Sequence, residues 1–85
     1  MQLSRDEIIS KLKSILVSAD DKYSSMVDTI NDGTSLINEL GLTSVGMLYL
    51  VIVIENTFSI QFENVGIDDF KTFGDIVNYI ESKQV

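Results

Sequence analysis

The chain has 85 residues, 45% of them apolar and 22% charged. That balance fits one small folded domain over residues 1–85 and excludes a disordered chain. There is no Cys and no His, which excludes disulfides, thiolate nucleophiles, Ser-His triads, a histidine base and the common zinc ligands. With most reactive side chains missing, the chain is expected not to be an enzyme, and any reactive group has to be brought in.

Thirteen acids against six bases give a net charge of −7. Between Asp20 and Asp69 nine acids face one base, Lys22, so this span carries −8 and the two ends together +1. Phosphate backbones and anionic membrane surfaces are read by clustered Lys and Arg, so neither nucleic acid nor a membrane is expected as a partner. A basic protein surface is the natural counterpart, with plain solubility as the alternative. The first residues, Met1 to Glu7, carry no apolar signal core, and the longest apolar run, Met47 to Ile54, is too short to cross a bilayer. A cytoplasmic monomer is expected.

Ser4 followed by Glu7 is a capping-box spacing. Ile8, Ile9, Leu12, Ile15 and Leu16 then recur at helical intervals, predicting a first helix over about Arg5 to Val17. From Ser18 to Thr43 the periodicity fades into turn residues, with Met26, Ile30, Leu36, Ile37 and Leu40 as apolar anchors. Leu36, Ile37 and Leu40 are spaced for one helical turn that Gly41 can end. Val45 to Ile54 fits a buried strand as well as a buried helix by pattern. The Thr43-Ser44 pair before it and the length from Ser44 to Thr57 favour helix. Phe58, Ile60 and Phe62 alternate with Ser59 and Gln61, as an extended piece laying aromatics on the core does. Asp68 to Phe70 suit a brief helix, and Thr72 with Asp75 caps a last one carrying Phe73, Ile76, Val77 and Ile80 on one face.

Two candidate sites stand out. Asp28, Asp32, Gly33 and Glu39 fall on positions 1, 5, 6 and 12 of a calcium-loop pattern, but position 3 is Ile30 and flanking EF-hand helices are absent. An acidic capped loop is the better reading, and no metal site is assigned. Ser44 is the second. At its plainest, Thr43 or Ser44 is an N-cap. If Thr43 caps, Ser44 is spare, and its hydroxyl stands at a helix start whose unpaired N–H groups and dipole favour a phosphate. A chain lacking Cys and His but offering such a serine suits a covalent prosthetic arm.

The stretch Asp32-Gly33-Thr34-Ser35-Leu36-Ile37-Asn38-Glu39-Leu40-Gly41-Leu42-Thr43-Ser44-Val45 resembles the region around the modification site of acyl carrier proteins. The resemblance continues through Leu48, Leu50, Val51, Ile54, Glu55, Phe58, Ile60 and Phe62, and closes with Thr72 to Glu81. It covers roughly residues 4–83. It implies an all-α four-helix bundle with a long first loop and a short third helix, which resolves Val45 to Ile54 as helix. It implies that a phosphopantetheinyl transferase attaches 4′-phosphopantetheine from coenzyme A to Ser44. The arm's thiol would then carry acyl groups between acyl-loading and condensing enzymes.

The departures from the family pattern set further expectations. The family's Asp before the serine is Thr43, and its Leu after it is Val45. Positions where fatty-acid carriers place acids for basic partners fall on Gly46, Tyr49 and Asn56, with only Glu55 keeping its charge. Met47, Tyr49, Ile52 and Val53 make an apolar stripe instead, and one helix face cannot bury all of Met47 to Ile54. At least two of these residues are expected on the surface, with Met47 and Tyr49 as the deciding pair. Thr43, Val45, Met47, Tyr49, Ile52 and Glu55 are the expected partner-binding residues. The pathway implied is a specialised one, polyketide, fatty-acid-like or aminoacyl. The alternative is a carrier-like helical module that is never modified.

Overall fold

A computed structural model describes residues 3–63 and 69–83 of the chain. Among them the architecture is all-α: α1 (Arg5–Ala19), two 3-10 turns (Asp21–Ser25 and Val27–Thr29), α2 (Ser44–Phe58) and α3 (Phe73–Lys83). The described residues form no strand, only an isolated antiparallel bridge between Ser35 and Thr72. Three of the four expected helices are therefore seen. Of the brief helix expected at 68–70, Asp68 lies outside the described residues, and Phe70 is buried in the core.

The expected capping box opens α1. The Ser4 hydroxyl accepts the Glu7 N–H at 3.2 Å, and the Glu7 carboxylate accepts the Ser4 N–H at 3.1 Å. Those hydrogen bonds from Ser4 hold the Glu7 carboxyl below its ordinary pKa. Ile8, Leu12, Ile15 and Leu16 are buried. The helix runs two residues past Val17, because no breaker stands before Asp20, whose side chain instead caps the next turn through the Lys22 N–H at 3.0 Å.

The long connection folds around Tyr23, buried at 3% exposure, whose hydroxyl donates to the Leu40 carbonyl at 2.8 Å. Ile30, Leu36 and Leu40 are core residues, as expected, and Met26 packs partly against them. Ile37 is the exception: it is exposed, because the turn at 36–40 points it outward. Gly41 closes that turn at φ +69°, its N–H bonded to the Ile37 carbonyl, a conformation a side chain disfavours.

This loop is riveted to α3. Leu36 N–H reaches the Lys71 carbonyl, Phe73 N–H the Thr34 carbonyl and Gly74 N–H the Asp32 carbonyl, at 2.9–3.0 Å. A Cβ at position 74 would stand 2.8 Å from the Asp32 carbonyl oxygen, so the backbone approach requires glycine. Thr72 and Asp75 cap α3 as expected: Asp75 N–H donates to the Thr72 hydroxyl, and the Asp75 carboxylate accepts the Lys71 and Thr72 N–H groups. Those backbone bonds, from Lys71 first, hold the Asp75 carboxyl below its ordinary value.

Arg5 fastens the chain ends. Its guanidinium pairs with Asp32 at 2.8 Å, donates to Asn78 at 2.9 Å and pairs with Glu81. The hydrogen bond to Asp32, joined by Glu81, raises its already high pKa. Phe58, Ile60 and Phe62 pack partly on the core while Ser59 and Gln61 are exposed, but the expected extended piece does not begin at Phe58, which still belongs to α2, and Ser59 ends that helix in left-handed backbone at φ 56°. Phe62 stacks on Tyr79 with ring centroids 4.8 Å apart, and Phe70 meets both edge-on. Among the described residues no helix is long and apolar enough to cross a membrane.

Candidate functional site

The segment approaching α2 is fixed from below. Leu40 is held by the Tyr23 hydroxyl, Gly41 reverses the chain, and Leu42 N–H bonds to the Leu36 carbonyl at 3.0 Å. Thr43 then sits in extended backbone as the N-cap of α2, its hydroxyl accepting the Gly46 N–H at 3.1 Å. Its carbonyl takes the Met47 N–H at 2.8 Å. The capping function is filled by Thr43, and Ser44 is the first helical residue.

Ser44 is exposed, and its hydroxyl makes no hydrogen bond to the described residues. The N–H groups that open a helix have no intrahelical acceptor and carry the positive end of its dipole. No acidic residue stands in the first turn of α2 to oppose an anion there. The arrangement offers a free hydroxyl beside a field that favours phosphate.

Beyond Ser44, α2 is apolar on two sides. Met47, Leu50 and Ile54 face the core. Val45, Leu48, Tyr49 and Ile52 are 76%, 54%, 53% and 57% exposed. These four fall at i, i+3, i+4 and i+7, one continuous stripe on the outer face. The expectation that at least two residues of Met47 to Ile54 lie on the surface is met, by Leu48, Tyr49 and Ile52.

The stripe itself differs from the expected one. Met47, expected on the partner surface, is 2% exposed and belongs to the core, so it offers a partner nothing. Val53 is half-buried. Leu48, not expected outside, is exposed because it lies one turn after Ser44 on the same face. Counting in fours from an exposed Ser44 is the signal that finds it. Glu55 is half-buried and has a structural duty: one of its carboxylate oxygens accepts the Phe62 N–H at 2.8 Å. Two acids of the calcium-like pattern are engaged separately. Asp32 pairs with Arg5, the Glu39 carboxylate accepts the Ser35 N–H at 3.0 Å, and Ile30 is buried.

Residues 24–80 match the family model described as the phosphopantetheine attachment site. An acyl carrier protein of Thermotoga maritima is 35% identical over 80 residues, covering 94% of this chain and 95% of the relative. One from Lactobacillus acidophilus is 28% identical over 96% of this chain and 99% of its own length. A third, from Coprothermobacter proteolyticus, is 30% identical over 94% of each chain. The chain belongs to the acyl carrier protein family.

An acyl carrier protein is a carrier and not a catalyst, and its cofactor is phosphopantetheine. The start of α2 fits that group. It presents an unbonded hydroxyl, first-turn N–H groups without partners in the helix, and no carboxylate in the first turn. When bound, the group supplies the thiol that this sequence lacks.

Proposed function

We propose that Ser44 is the attachment site. A phosphopantetheinyl transferase would join 4′-phosphopantetheine from coenzyme A to its hydroxyl. The observation that carries this reading is the division of labour between neighbours: Thr43 holds the Gly46 N–H, which leaves the Ser44 oxygen exposed and unengaged. The Ser44 oxygen attacks the pantetheine-bearing phosphorus of coenzyme A, the pyrophosphate P–O bond breaks so that adenosine 3′,5′-bisphosphate leaves, and the serine proton goes to a base of the transferase, because no titratable group among the described residues bonds to that hydroxyl. The modified domain, spanning residues 1–85 as a cytoplasmic monomer, shuttles thioester-linked acyl groups between acyl-loading and condensing enzymes.

The outer stripe of α2 is the docking face for those enzymes. Thr43 and Val45 flank the arm, while Leu48, Tyr49 and Ile52 offer apolar area where fatty-acid carriers offer acids. An exposed apolar patch contiguous with the attachment point favours partners with an apolar recess over a basic one. This supports a specialised pathway of polyketide, fatty-acid-like or aminoacyl chemistry over housekeeping fatty-acid synthesis.

Incubation with coenzyme A and a broad-specificity transferase, followed by intact-mass measurement, tests the site. The expected result is the gain of one arm, absent in Ser44→Ala. No gain with several transferases would instead establish an unmodified interaction module. For the partner assignment, a fatty-acid ketoacyl synthase should turn over the loaded carrier far more slowly than a housekeeping one, and equal rates would overturn it.

A further inference from the structure

The sequence contains one place where an acid or amide side chain is followed directly by glycine, Asp32-Gly33. Such a pair can close on itself. The glycine nitrogen attacks the carboxyl carbon of the aspartic acid side chain, and no Cβ on the glycine crowds the approach or restricts its backbone. The N–C bond forms, the C–OH bond breaks, and water leaves, made of that hydroxyl and the glycine N–H proton. A second water then opens the five-membered succinimide at either carbonyl. Opening at the side-chain carbonyl restores aspartate. Opening at the backbone carbonyl leaves isoaspartate, in which the chain runs through the side chain and is one methylene longer. Water is the only co-reactant.

This pair sits where the change has consequences. The Asp32 carbonyl accepts the Gly74 N–H at 2.9 Å, and two residues on the Thr34 carbonyl accepts the Phe73 N–H at 2.9 Å. The backbones approach so closely that a Cβ at position 74 would stand 2.8 Å from the Asp32 carbonyl oxygen. In isoaspartate that carbonyl leaves the main chain and becomes a free carboxylate. The bond to Gly74 is then lost at a contact with no room for an extra methylene.

The fold holds both reacting groups back, and burial is not the means. The Asp32 side chain is 59% exposed. Its Oδ2 accepts from the Arg5 guanidinium at 2.8 Å, and the Gly33 N–H donates to Asn31 Oδ1 at 2.9 Å. Asn31 is itself fixed, because its N–H donates to the hydroxyl of the buried Thr34 at 2.9 Å. Ring closure requires the carboxyl carbon to swing onto the Gly33 nitrogen and requires that nitrogen to release its proton. One hydrogen bond opposes each step. The Arg5 bond is part of an ion pair open to water, a weak restraint that salt weakens further.

We propose that Asp32-Gly33 is a site of succinimide formation and isoaspartate conversion, gated by the Arg5 guanidinium, and that conversion frees the loop from the start of α3. The product carries a backbone-derived α-carboxylate, the chemical group that an isoaspartyl repair methyltransferase esterifies.

The test ages the intact chain in mildly acidic buffer at physiological temperature. Isoaspartate is read by enzymatic methyl transfer from labelled S-adenosylmethionine, and fragment masses place it. The expected result is label at residue 32 and at no other acid, preceded by a species lighter by one water. Arg5→Gln should raise the rate several-fold. Gly33→Ala, whose Cβ would meet the Asn31 side chain at an ordinary 3.4 Å, should nearly stop it. Arg5→Gln also loosens the chain ends, so each rate is measured again in urea and scaled by the unfolded fraction. Acceleration beyond that product supports the gate, and acceleration equal to it overturns the gate. Absence of isoaspartate in both parent and Arg5→Gln overturns the site, as does an undiminished rate in Gly33→Ala. In the separated isoaspartyl protein the Gly74 amide should exchange faster while the Met47 amide stays protected. Unchanged exchange at Gly74 overturns the release of the loop.

Discussion

The three α-helix starts among the described residues are built from similar residues and end up with opposite electrostatics. At α1, Ser4 and Glu7 satisfy each other's backbone groups, and at α3, Thr72 and Asp75 do the same, with Asp75 also taking the Lys71 N–H. Each of these starts carries its own carboxylate against the positive end of the helix. At α2 only the Thr43 hydroxyl serves, and no acid stands in the first turn. The chain neutralises two dipoles internally and leaves the third for an anion from outside, at the helix that also presents an apolar outer face.

The sharpest way to break the comparison is to remove the one hydroxyl left over. Ser44→Ala should abolish arm incorporation completely, as read by intact mass. Its melting temperature should stay within a degree or two of the parent, because the Ser44 hydroxyl bonds to none of the described residues. The two faces of α2 should separate next. Leu50→Ala, in the core, should cost about 2–5 kcal/mol by the usual cavity penalty. Ile52→Ala, two residues on and exposed, should stay within about 0.5 kcal/mol. Urea denaturation of both reads the difference, and equal costs would sink the assignment of faces.

The third effect is smaller and depends on pH. Asp75→Ala should cost about 0.5–1 kcal/mol at neutral pH by loss of the α3 cap. Because the folded Asp75 carboxyl titrates below its ordinary value, its contribution is present above the unfolded pKa. It is lost as pH falls through the folded value, below about pH 4. Stability curves of parent and variant should converge on acidification, and a gap that persists at low pH would contradict the capping role. The smallest change is Gly46→Ala. A Cβ there would meet Leu42 at 3.4 Å and Thr43 at 3.5 Å, ordinary contact distances. Helix propensity should therefore raise stability by up to about 1 kcal/mol in thermal melts.

What the sequence revealed follows from how each part is held. The first helix was legible almost to the residue because the Ser4–Glu7 box and one apolar face both mark it. The last was legible for the same reason, through Thr72 and Asp75. The Thr43–Ser44 pair was readable as cap plus spare hydroxyl from adjacency alone. The helix that follows was not readable from pattern, because apolar residues on both of its faces erase the periodicity that distinguishes inside from outside. That is why Met47 was expected on the surface and Leu48 was not. The loop resisted for a different reason. Its geometry rests on single side-chain-to-backbone bonds, such as Tyr23 to Leu40 and Glu39 to Ser35, which follow no repeat. Ile37 pointing outward is a consequence of that turn, not of hydropathy.

Arg5 has a consequence for handling the molecule. One guanidinium buckles the beginning of the chain to the loop at Asp32 and to the closing turns at Asn78 and Glu81, and both of its charged partners are open to water. Salt shields such exposed pairs over a Debye length of about 8 Å at 0.15 M ionic strength and about 3 Å at 1 M. Concentrated buffer should therefore unfasten the two extremities first, seen as faster amide exchange in the opening and closing turns, while the buried face of α2 keeps its protection.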